Sequence, residues 1–154
     1  MRSARLFVTF FYLGYSKIAP GSIASLVTTL IFYLFAKYLF FSLLIIIILV
    51  TTILSFIAVG VYTSGSSEKD KSEIVIDEVI GQSIALSPLL LFPEYNLPEF
   101  YMCLISLLFF RFFDIVKPFP INEVDKINSN FGVILDDILA GFFSAIFLTL
   151  ILNL

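Results

Sequence analysis

Residues 38–62, YLFFSLLIIIILVTTILSFIAVGVY, contain no charged side chain. A helix needs about 20 apolar residues to cross the hydrocarbon core of a bilayer, and this run is longer than that. The rest of the chain agrees: 60% of its 154 residues are hydrophobic and 19 are Phe, against about 45–50% apolar residues in soluble domains. The chain reads as a membrane protein. Its length leaves room for a single helical domain, residues 1–154, and none for a separate soluble one.

Five apolar segments can be drawn, at about 23–37, 41–62, 78–92, 97–113 and 133–152. The expected fold is therefore all-α, a compact membrane bundle in which three to five segments span. Segments 23–37 and 78–92 are near the lower limit for crossing. Pro20, Pro93, Pro98, Pro118 and Pro120 fall at segment boundaries, where a missing N–H costs least. The stretch 63–73, TSGSSEKDKSE, reads as a solvated loop. Residues 1–24 mimic a signal peptide, with Arg2 and Arg5 ahead of an apolar stretch, but Lys17 interrupts it and the P-G-S turn at 20–22 reads as part of the fold.

Charge sets the orientation. If all five segments cross, then of the nine Lys and Arg residues only Lys37 falls on the side opposite the N-terminus. By the positive-inside rule that places the N-terminus in the cytoplasm. No basic stripe points to nucleic acid, and nothing in the chain indicates a protein partner. Cys103 is the single cysteine and histidine is absent, which removes intrachain disulfides, C-x-x-C metal sites and histidine chemistry.

The polar residues of the segments gather at that same end. Asp77 and Glu78 begin the third segment, Asp114 ends the fourth, and Asp136 and Asp137 begin the fifth. A carboxylate at the bilayer centre costs about 2.5–3.5 kcal/mol, less at the ends, and converging acids raise one another's pKa unless a cation compensates. Oxygen ligands alone select a hard ion, Mg2+ or Mn2+ ahead of Ca2+. Arg111, Asp114 and Lys117 follow one another at i,i+3 and are expected to share a helical face, where the cations can hold phosphate. Blander readings stand beside this one. The stripe fits an interfacial salt-bridge cluster, the acidic pairs fit complements to helix dipoles, and Ser22 fits an N-cap.

Four stretches in order, APGSIAS at 19–25, IDEVIG at 76–81, FRFFDIVKPFPI at 110–121 and LDDILAG at 135–141, resemble the motifs of the phosphatidylglycerophosphatase A family. The R-x-x-D-x-x-K-P-x-P run is the most distinctive. The family pattern P-G-T-x-G-S appears here with Ser22 for Thr and Ala24 for Gly. The resemblance implies a Mg2+-dependent phosphomonoesterase that releases the terminal phosphate of a phospholipid, phosphatidylglycerophosphate, at the cytoplasmic face of a bacterial-type inner membrane. It implies Asp77, Glu78, Asp136 and Asp137 as metal ligands or water-orienting groups, with Asp114 in either role. Arg111 and Lys117 would neutralise phosphate oxygens, and Ser22 and Ser25 would donate hydrogen bonds to them.

A carrier coupled to ions or protons is the main alternative, but its carboxylates are expected near the bilayer midplane. Here they lie at segment ends. A passive scaffold is the third reading, and it predicts that charge-conserving substitutions at these positions are harmless.

Overall fold

In the computed structural model, which describes residues 2–64, 71–94 and 96–153, the chain is helical, with no strand among the described residues. The helices are α1 (Arg2–Val8), α2 (Pro20–Phe35), α3 (Phe41–Tyr62), α4 (Ile76–Leu86), α5 (Pro88–Leu91), α6 (Glu99–Val116), α7 (Ile121–Asp125) and α8 (Gly132–Leu152). A 3-10 turn, Ala36–Tyr38, extends α2. By length and composition three stretches can cross a membrane: Pro20–Tyr38, Phe41–Tyr62 and Gly132–Leu152. α6 contains Glu99, Arg111 and Asp114, which set it apart from these.

The third apolar segment is not one of these stretches. Its main helix, α4, has 11 residues, about 16 Å at 1.5 Å per residue, and Pro88 starts the separate short helix α5. α4 instead forms the centre of the bundle, packed against α8 and flanked by α2, α6 and α3. Ile76, Ile80, Ile84, Ala85 and Leu86 are all buried. α3 is the opposite case. Ile46, Leu49, Val50, Ile53 and Ile57 are exposed along it, as suits a lipid-facing helix that has no water to avoid.

Two short helices, α1 and α7, were not legible as apolar segments. α1 packs on α3, and Val75 N–H donates to the Val8 carbonyl at 2.9 Å, tying the N-terminal segment to the start of α4. Residues 65–70 of the expected loop at 63–73 lie outside the described residues. α2 begins with Pro20 at its first position and Ala19 as N-cap. Ser22 therefore sits inside the helix and is not its cap.

Two expectations about helix ends change. Asp77 and Glu78 do lie in the first turn of α4, but α8 starts at Gly132 and has no acid in its first turn. Asp136 and Asp137 stand a turn deeper, too far in to serve as dipole complements. Lys117 also leaves the stripe it was expected to share. Pro118 disfavours right-handed helical geometry at Lys117, which closes α6 as a left-handed C-cap with φ 45°. Arg111 and Asp114 remain on one face.

Candidate active site

α2, α4 and α8 begin, and α6 ends, at one end of the bundle. There a cavity of about 240 Å3 is lined by Asp77, Glu78, Asp114, Lys117, Asp136 and Asp137 together with residues of the loop before α8. One wall of it is acidic. One carboxylate oxygen from each of Asp77, Glu78 and Asp137 lies within 4.8 Å of the other two. Asp77 and Asp137 are buried. Adjacent helical residues point about 100° apart, so the Asp136–Asp137 pair is divided: Asp137 turns to the acidic trio and Asp136 to Lys117.

The Lys117 ammonium donates to Asp136 Oδ2 at 2.7 Å and also to Asp125 Oδ1 of α7. Burial opposes its charge, but hydrogen bonds to Asp125 and Asp136 and their negative charge outweigh that and leave its pKa above the ordinary lysine value. Arg111 Nη1 donates to Asp114 Oδ2 at 2.6 Å and to Ser25 Oγ at 3.5 Å. The Ser25 hydroxyl gives its own proton to the Gly21 carbonyl at 2.9 Å. Ser25 thus faces Arg111 rather than the cavity, and Ser22 does not line the cavity either.

The electrostatics of the wall are unfavourable without a cation. Asp77 has its pKa raised well above the ordinary value, first by burial and then by the neighbouring Glu78 carboxylate. Glu78 is also raised by burial, with a partial offset from its hydrogen bond to Asp77. Glu78 Oε2 and Asp136 Oδ1 are buried without a hydrogen-bond partner. Such orphaned acceptors cost free energy and suit a metal or a donor from a ligand. The three acids supply only oxygen, the donor set of Mg2+ and Mn2+. Their mutual approach within 4.8 Å makes the three acids the residues that would hold such an ion.

Two residues that sequence reasoning missed belong to the surroundings. Asp125 lies in a polar run with nothing to mark it until α7 folds it onto Lys117. Gln82, one turn after Glu78 on α4, is fully buried, and its Nε2 donates to Ser106 Oγ of α6 at 3.4 Å. A glutamine inside an apolar segment was the available signal.

Comparison with known proteins follows the same lines. The sequence model described as Phosphatidylglycerophosphatase A matches residues 6–152. A Bacteroides thetaiotaomicron protein named "Putative phosphatidylinositol-3-phosphatase" is 32% identical over 137 residues, covering 86% of this chain and 83% of its own. Proteins named Phosphatidylglycerophosphatase A are 30% identical in Haemophilus influenzae, covering 83% of this chain and 76% of theirs. The Escherichia coli protein of that name is also 30% identical, covering 86% of this chain and 73% of its own. No solved structure matches significantly. With this match along almost its whole length, the chain belongs to the phosphatidylglycerophosphatase A family of membrane lipid phosphatases.

Proposed function

We propose that this phosphatase hydrolyses the terminal phosphomonoester of phosphatidylglycerophosphate, with Mg2+ or Mn2+ held by Asp77, Glu78 and Asp137. The observation that carries the reading is the convergence of these three carboxylates in one cavity with Lys117. The names of two relatives supply the lipid. A bound divalent ion would polarise a phosphoryl oxygen and lower the pKa of a ligated water.

The chain's own residues account for the rest. In phosphoryl transfer the protein contributes mainly positioning and charge stabilisation. Lys117, held between Asp125 and Asp136, presents its ammonium to the cavity and matches the charge of phosphate oxygens. Arg111 secures Asp114 beside the acidic trio. In the net reaction water adds to phosphorus, the P–O bond to the glycerol oxygen breaks, and that oxygen leaves with a proton as an alcohol. Asp114 and Asp136, both lining the cavity, are the acids placed to move protons there.

The basic residues cluster at the end that bears the site, which supports a cytoplasmic-facing active site in an inner membrane. Asp77, Glu78, Asp136 and Asp137 stand in the first two turns of their helices, not at mid-depth where a carrier would place them.

The test is phosphate release by purified protein in detergent, with Mg2+, with EDTA, and with EDTA followed by excess Mg2+. Release from phosphatidylglycerophosphate that stops on chelation and returns with metal is expected. Phosphatidic acid and phosphatidylinositol 3-phosphate are run alongside. Turnover of either in place of phosphatidylglycerophosphate would reassign the substrate, and no release from any of the three by folded protein would overturn the reading.

A further inference from the structure

We propose that Gly21 is a positioning residue for Glu78: the glycine of the P-G-S turn provides the space in which the Glu78 carboxylate rests, and does not itself approach phosphate. The inference rests on the metal-ligand reading of Glu78 given above. A Cβ placed on Gly21 would lie 1.9 Å from Glu78 Oε1, 2.8 Å from its Cδ and 3.3 Å from its Cγ. No side chain fits there unless the glutamate moves.

The neighbouring residues fit the same role. Pro20 occupies the first position of α2 and Gly21 the second, so Glu78 lies against the positive end of a 16-residue helix, where a carboxylate is favoured. One turn on, Ser25 caps the Gly21 carbonyl and accepts from Arg111, the residue that pairs with Asp114. The start of α2 thus supports two of the charged groups around the cavity from behind. The obstructing atoms are the far end of a flexible side chain, not backbone. An added methyl group is therefore accommodated by displacing the carboxylate rather than by unfolding the protein.

The experiment compares wild type, Gly21→Ala, Glu78→Asp and the double variant Gly21→Ala/Glu78→Asp, all purified in detergent. Mn2+ affinity is read by electron paramagnetic resonance, alongside kcat, KM and the thermal midpoint in EDTA. Gly21→Ala is expected to weaken Mn2+ binding and lower kcat by about 10- to 100-fold, as loss of a supporting contact does at metal sites, with the EDTA midpoint nearly unchanged. Aspartate is one methylene shorter, so Gly21→Ala should do less harm in the Glu78→Asp background than in wild type. Should Gly21→Ala alone fail to fold while the double variant folds, the contact is likewise supported. If both fail, the proposal is overturned.

A phosphate-binding role for Gly21 predicts the other split, a raised KM with Mn2+ affinity intact, and that result would also overturn the proposal. Wild type that binds Mn2+ and releases phosphate, with Gly21→Ala indistinguishable from it, overturns this inference alone. Wild type that binds no Mn2+ removes the metal-ligand reading and the inference with it.

Discussion

Gly141 of α8 lies directly on Gly81 of α4: a Cβ at position 141 would stand 2.4 Å from the Gly81 carbonyl oxygen. A Cβ on Gly81 would in turn meet the Asp137 carbonyl at 2.6 Å and the Phe110 ring at 2.5 Å. Small residues let two helices close to backbone contact. Asp77 and Asp137 each stand one turn before one of these glycines, on the same helical faces, so the crossing brings the two acids together. Gly141→Ala meets backbone, which no rotamer change relieves. It is expected to destabilise the protein by about 1–3 kcal/mol and to lower turnover by parting the acids. Thermal unfolding and phosphate release in detergent measure the two effects, and a variant as stable and active as wild type would refute the account.

Asp77→Asn and Asp137→Asn keep size and hydrogen-bonding capacity but remove charge from the trio. Each is expected to reduce turnover beyond the roughly 10- to 100-fold typical of changing a group that only supports a metal ligand. Mg2+ dependence should shift to higher concentration. Neither should unfold the metal-free protein, because each removes a carboxylate that burial disfavours. Titrating activity against Mg2+ checks this, and an unchanged half-saturating concentration would argue against a ligand role.

Lys117→Arg preserves charge but replaces a compact ammonium with a planar fork. Between Asp125 and Asp136 there is one point-like cation, and a guanidinium must displace one acid or the other. Turnover is expected to fall at least about tenfold, since small displacements of positioning groups are costly, with little change in thermal midpoint. A scaffold would show no loss.

The acidic wall also makes a pH prediction. In the metal-free fold Asp77 and Glu78 have raised pKa values, so the folded chain holds their protons more tightly than the unfolded one. Their contribution to stability is full below the unfolded values, about 3.9 and 4.3, and is lost as pH rises through the folded ones. In EDTA the thermal midpoint should fall as pH increases above about 4. Mg2+ should restore it near neutrality and change little near pH 4, because the metal needs ionised ligands. Lys117, with its pKa above the ordinary lysine value, gives a contribution lost only in strong alkali and does not blur this window. Parallel EDTA and Mg2+ curves across pH would sink the prediction.

Orientation can be read by labelling. Lys37 follows α2 at the end remote from the cavity, Asn128 borders the cavity, and the native Cys103 is buried. In intact cells Lys37→Cys is expected to react with an impermeant maleimide, and Asn128→Cys only after the membrane is opened. The reverse pattern would invert the proposed topology.

Much of this arrangement was present in one dimension. The uncharged run at 38–62 required a membrane helix, and α3 (Phe41–Tyr62) occupies nearly those bounds because no charge or proline interrupts it. Prolines at 20, 98 and 118 marked helix ends, since an imide without N–H cannot continue a hydrogen-bonded turn. The acidic pairs and the R-x-x-D-x-x-K-P-x-P run were visible as charges at segment ends, and their family followed from their order.

Composition and local pattern determined that this chain is a helical membrane protein, that most of its charges lie at one end, and which residues are candidates for its chemistry. Local sequence could not tell Asp136 from Asp137, because adjacent residues on a helix diverge and only packing decides which one meets Lys117 and which meets Asp77 and Glu78. Nor could it place Asp125 on Lys117, Glu78 in the space above Gly21, or α4 at the centre of the bundle. Those are contacts between segments far apart in the chain, set by how closely α2, α4, α6 and α8 approach, and that distance is a property of the assembled bundle.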